Sequence, residues 1–144
     1  SSTPENTTEE VLQSVAGVGI TVHNHWTAND VNDGRIVHIG LVNRRNEFIS
    51  DEIKDLAVTL TIKELDESYK NYSVVLLEKK YTNLSLSNMD YPRGEGFIIL
   101  FNELKEYNQE CCTAIWARVV LPDGRVLKTY DAHDFNITPI KVEE

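Results

Sequence analysis

Cysteine is almost missing from this chain: there are two, Cys111 and Cys112, and they are neighbours. Successive strand residues point to opposite faces, so the two do not share a strand and a relaxed disulfide. That excludes a disulfide-dense scaffold, and the plain reading is one buried thiol and one exposed. Basic residues are outnumbered, with 14 Lys and Arg against 23 Asp and Glu and a formal net charge of −9. This balance works against a broad phosphate-binding surface. Arg44-Arg45 and Lys79-Lys80 are isolated pairs without interleaved aromatics, so no nucleic-acid partner is expected. No apolar run approaches the roughly 18 residues of a membrane-spanning helix, and membrane insertion is not expected. The phosphate-loop patterns G-x-x-x-x-G-K-[ST] and G-x-G-x-x-G are absent, Gly94-Glu95-Gly96 being too short to count. No Ser, Cys and His arrangement carries a nucleophile signature. The expectation is a protein without catalytic residues or cofactor.

What is present is ordinary globular composition, 41% hydrophobic and 26% charged over 144 residues, enough for one domain with its own core. The clearest pattern is period two. Leu56, Val58, Leu60 and Ile62 alternate with Ala57, Thr59, Thr61 and Lys63, as in a strand of an antiparallel sheet with one face on a core. Val18, Ile20 and Val22 alternate in the same way, and so do Val37, Ile39 and Leu41, with turn formers from Asn29 to Gly34 between them. Val74 to Leu77 is apolar on both faces, which suits a strand covered on both sides or a crossover between sheets, and Phe97 to Phe101 is a second fully apolar run. Leu84 and Leu86 alternate in a polar setting, as in an edge strand. Asp90-Tyr91-Pro92-Arg93-Gly94 reads as a turn and Leu104 to Glu110 as a loop or helical turn.

Ala114 to Leu121, the turn Pro122-Asp123-Gly124 and Val126 to Tyr130 form the strongest hairpin signal, and Phe135 to Val142 adds a last strand. Turn signals about every eight to twelve residues predict seven to nine strands. The expected fold is all-β, a single Ig-like or fibronectin-III-like antiparallel sandwich over residues 17–144. Residues 1–16 precede it as a polar, flexible leader or a short helical turn at Val11 to Ala16.

Candidate chemistry is sparse. His23 and His25 form an H-x-H pair whose imidazoles share one strand face, the spacing used by cupins and several zinc enzymes. Asn29 and Asp30 fall near the acidic ligand position of a cupin and Pro92-Arg93-Gly94 supplies a P-x-G turn, but Phe97 stands where a third histidine belongs. His38 and His133 join only if the fold converges them. Asp131, His133 and Asp134, and the cluster Glu64, Asp66 and Glu67, read as solvated loops rather than an acid–base pair held in a dry cleft. Trp26 and Trp116 are expected in the core, while an exposed Trp26 would be a recognition anchor. The segment around Leu84 and Leu86, or the first strand, presents an edge that accepts a partner strand. Four sequons, at Asn6, Asn71, Asn83 and Asn136, suggest a secreted or cell-surface glycoprotein. The missing disulfide framework points instead to an intracellular protein.

Lys80-Tyr81-Thr82-Asn83-Leu84-Ser85-Leu86, a turn, then Phe97-Ile98-Ile99-Leu100-Phe101 and a charged loop lead to Thr113 through Leu121. With a closing strand through Ile137 to Val142, this order resembles the C-terminal β-sandwich domains of animal transglutaminases. The resemblance covers roughly residues 53–142 and rests on hydrophobic spacing. Those domains are fibronectin-III-like, and other Ig-like modules, including adaptor-protein ear domains, share much of the order. The resemblance implies a non-catalytic accessory domain, since the Cys-His-Asp of a transglutaminase lies in a separate domain and is not matched here. The expected function is protein–protein interaction as an accessory or adaptor module, through an edge strand or an exposed patch. The alternatives are a glycosylated receptor or ligand ectodomain and a cupin-like metal-binding protein using His23 and His25.

Overall fold

Alternating burial runs the length of β3 (Leu56–Leu65), whose inward residues Leu56, Val58, Leu60 and Ile62 are all fully buried. A computed structural model describes residues 4–65, 71–104 and 113–131. Around β3 the chain forms helix α1 (Pro4–Ser14), β1 (Gly17–Trp26), β2 (Asn32–Val42), β4 (Tyr72–Leu84), the short helix α2 (Leu86–Met89), β5 (Phe97–Leu100), a 3-10 turn (Phe101–Glu103), β6 (Thr113–Val120) and β7 (Val126–Asp131). All strand pairings are antiparallel. One sheet has the order β1-β2-β5 and the other β4-β3-β6-β7. The fold is all-β.

The two sheets share one core. Val37, Ile39 and Leu41 of β2 and Phe97 and Ile99 of β5 meet the β3 row together with Ile115, Ala117 and Val119 of β6. Leu86 and Met89 of α2 and Ile49 and Ile53 of the β2–β3 loop complete it. At one side β1 lies near β7. At the other, Tyr81 of β4 touches Phe97 of β5 with ring centroids 4.6 Å apart, and Lys79 Nζ reaches Glu103 Oε1 at 2.5 Å.

Several local expectations are corrected. Pro4 to Glu10, aperiodic in sequence, belongs to α1, which starts on a proline suited to the first helical position. The far end of α1 is tied down from a distance: Arg125 donates to the carbonyls of Leu12 at 2.6 Å and Val15 at 2.9 Å, satisfying acceptors that a helix end leaves free. Asn32, Asp33 and Gly34 lie in β2, so the turn is tighter than the polar run suggests and is closed by the Val31 carbonyl accepting from Thr27 N–H. Val74 and Val75 are exposed, and only Leu76 of that run is fully buried, because β4 is an edge with register shifts rather than a covered strand. In β5, Ile98 is exposed while Phe97 and Ile99 are buried, again a strand with one covered face. Cys111, Cys112, most of Leu104 to Glu110 and Phe135 to Val142 lie outside the described residues.

Candidate interaction surface

The outward face of the three-stranded sheet is built in rows. Gly19 pairs with Gly40, Thr21 with His38, His23 with Ile36, and Ile36 in turn with Ile98. Cross-strand partners point to the same side, so two histidines and two isoleucines lie together beside a strip of bare backbone. The ring of Phe48, from the β2–β3 loop, fills that strip. A Cβ on Gly40 would lie 2.8 Å from the Phe48 ring, so the glycine permits a contact that no other residue allows without movement. Tyr91, from the loop after α2, covers the next rows, with ring centroids 4.7 Å from His23 and 5.3 Å from His38.

Phe48, Tyr91 and Ile98 nonetheless stay largely open, at 66%, 58% and 45% exposure. The histidines beneath are held in place. His38 is 7% exposed, and its Nε2–H donates to the Gly94 carbonyl at 2.9 Å. The two loops that carry Phe48 and Tyr91 are laced together. Arg93 Nη2 donates to Asp90 Oδ2 at 2.6 Å, and Arg93 Nη1 donates to the Ser50 carbonyl. The Asp90 carboxylate raises the Arg93 pKa, reinforcing a charge that is permanent in any case.

Glu52 accepts from the Ser87 hydroxyl at 2.5 Å and from the Ser87 N–H at 3.0 Å. Burial pushes the Glu52 carboxyl up, but these hydrogen bonds outweigh it and hold the group below its ordinary value. Exposed charges of both signs border the same loops: Glu47, Asp51 and Glu95, and Arg44, Arg45 and Lys54.

The fold separates the H-x-H pair. His23 turns to His38 and Tyr91, whereas His25 Nδ1 lies 2.5 Å from Asp33 Oδ1. Among the described residues no group of three or more His, Cys, Asp or Glu is placed to hold a metal ion. Trp26 is 56% exposed, against the core expectation, at the end of β1, where Asn24 on the same face is already exposed. Trp116 is also outside the core, half-buried on the outward face of β6. Leu84 ends β4, which is an edge strand, but Leu86 begins α2 and is fully buried, so it offers nothing to a partner. Of the sequon asparagines, Asn71 and Asn83 are exposed. The Asn6 side chain and Asn136 lie outside the described residues, as do His133, Asp134, Asp66 and Glu67.

No protein-family model, curated protein or solved structure matches the chain. Phe48, Tyr91 and Ile98 escape a reading of the sequence for different reasons. Phe48 is a lone aromatic in the polar loop Asn43 to Asp51, and a lone aromatic in a polar loop is the one signal that was available. Tyr91 is hidden in a turn and Ile98 in a run that looks buried throughout.

Proposed function

We propose that this chain is a non-catalytic protein-interaction module of fibronectin-III-like type, and that its partner docks on the outward face of the three-stranded sheet. One observation carries this reading. Phe48, Tyr91 and Ile98 stay exposed together on a face whose supporting histidines and loops are fixed by hydrogen bonds and ring contacts. Exposed aromatic anchors on a rigid support fit the composition of interface centres, and the charges of both signs around them form a polar rim. The strand order supports the fold assignment. Three strands oppose four, with β4 joined to β3 rather than to β5, a strand switch relative to the constant-type Ig arrangement.

Strand addition is the weaker mode. The long edge of β4 carries register shifts at three places along its pairing with β3, and such irregularities blunt an edge. The test is a partner isolated on the immobilised chain and then rebuilt from purified components. Phe48→Ala with Tyr91→Ala is expected to weaken that complex at least tenfold without changing the fold, about 1.4 kcal/mol of binding energy. Full affinity in the double variant overturns the assignment of this face.

A second reading, a glycosylated ectodomain, draws on the exposure of Asn71 and Asn83. Secretion from a eukaryotic cell followed by glycosidase digestion tests it, and an unchanged mobility counts against it.

A further inference from the structure

The opposite outward face, on the four-stranded sheet, has a different chemistry. Lys80, Thr59, Arg118 and Lys128 are direct cross-strand partners and form one row across all four strands. The neighbouring row is Glu78, Thr61, Trp116 and Tyr130, and Lys63 follows on β3. Among the described residues the paired strands thus bring four cations to one face against one carboxylate, Glu78, on a chain whose net charge is −9. Among the described residues neither Arg118 nor Lys128 has an ion-pair partner, and Lys80 lies 4.0 Å from Glu78. The aromatics form a ladder beside them. Trp116 stacks on Tyr130 at 5.3 Å and 17°, meets Tyr72 edge-on at 5.3 Å, and receives Lys63 Nζ at 4.9 Å from its ring centroid.

We infer that this face binds an extended acidic peptide segment of a partner protein, laid across the strands along the Lys80–Arg118–Lys128 row. Charge complementarity selects the occupant: a positive row on an acidic protein attracts carboxylates and repels nothing they carry. Spacing narrows it. Neighbouring strands are about 4.8 Å apart, so Lys80 and Lys128 are separated by about 14 Å, the length of four extended residues at about 3.3 Å each. Two acidic side chains at i and i+4 of an extended segment point to one side. One reaches between Arg118 and Lys128, the other reaches Lys80. A hydrophobic side chain between them lies over Thr59, beside the row that holds the Trp116–Tyr130 stack.

Single-stranded nucleic acid fits less well. The Trp116 ring is already stacked on Tyr130 and met by Lys63, and the net charge opposes a phosphate backbone.

The experiment uses the whole chain as a Trp26→Phe variant, so that Trp116 alone reports. The probe is a fluorescein-labelled extended peptide with Glu at i and i+4 and Leu between them. Binding followed by anisotropy, with a matching change in Trp116 fluorescence, is the expected result. It should weaken at least tenfold in Arg118→Glu with Lys128→Glu, and likewise in Lys80→Glu should the double variant fail to fold. Tyr91→Ala, on the other face, should leave it unchanged, which separates this inference from the proposed function. No binding overturns it, as does equal binding of a peptide with the same charges placed side by side, or tighter binding of an oligodeoxythymidine. A salt-sensitive dimer seen by sedimentation, lost in the same variants, also overturns it, because the occupant is then a second copy.

Discussion

Lys79 Nζ on β4 lies 2.5 Å from Glu103 Oε1 just beyond β5, an ion pair that joins the two sheets at their open side. Both side chains are about 30% exposed, and directly beneath them Tyr81 packs on Phe97. The Glu103 carboxylate raises the Lys79 pKa above its ordinary 10.5. Burial pushes Glu103 up, but Lys79 and the Leu100 N–H outweigh that and hold it below its ordinary 4.5.

The signs fix the pH windows. The Glu103 contribution is present above pH 4.5 and disappears as the pH falls through its lowered folded value. The Lys79 contribution is present below pH 10.5 and is lost as the pH rises through its raised folded value. Lys79→Met is therefore expected to cost about 1 kcal/mol at pH 7. The difference in denaturation midpoint from the parent chain should shrink at both extremes, and a constant difference across pH would show that the pair is electrostatically idle.

Glu64 continues the inward row of β3 and is buried, and its Oε2 has no hydrogen-bond partner among the described residues. Burial raises its pKa, so the folded state favours the protonated form. Its stabilising contribution is complete below the ordinary 4.5 and is lost as the pH rises through the folded value. Glu64→Gln should raise the melting temperature at pH 7 and leave it nearly unchanged at pH 4. A loss of stability at pH 7 would assign the carboxylate a role that its surroundings do not reveal.

Two glycines should respond differently to alanine. A Cβ at Gly34 would lie 2.3 Å from the Ile99 carbonyl oxygen, a backbone atom held by the β2–β5 ladder. At Gly40 the obstacle is the ring of Phe48, an exposed side chain that can turn away. Gly34→Ala is expected to cost about 1–3 kcal/mol in urea unfolding. Gly40→Ala should cost clearly less and act instead on partner affinity, by displacing Phe48 from the sheet.

What the sequence disclosed is what local periodicity encodes. The row from Leu56 to Ile62 and the hairpin around Pro122 to Gly124 follow from alternation and turn chemistry, which need only neighbours in the chain. Phe97 to Phe101 did not, because an apolar run is silent about which face another sheet covers. The candidate faces were illegible for a related reason. Lys80, Arg118 and Lys128 stand on three strands, and only the pairing register brings them into one row. Phe48 and Tyr91 come from separate loops that meet through Arg93, Asp90 and Ser50.

Leu86 and Tyr91 are five residues apart, and their substitutions should separate stability from recognition. Leu86 is fully buried at the start of α2, its N–H bonded to the Ile53 carbonyl at 2.8 Å, among Ile53, Leu56 and Met89 in the core. Truncation there leaves a void that a close-packed core fills poorly, so Leu86→Ala is expected to cost about 2–5 kcal/mol. Tyr91 is 58% exposed and rests on the two histidines without filling a cavity. Tyr91→Ala should cost no more than about 1 kcal/mol, the worth of its ring contacts. Urea unfolding of both variants, read beside the affinity of the reconstituted complex, gives the contrast. The Leu86 variant should bind in proportion to its folded fraction, and the Tyr91 variant should stay folded and bind poorly. If Tyr91→Ala instead unfolds the chain as readily as Leu86→Ala, the aromatic cover is part of the core and the docking face must be sought elsewhere.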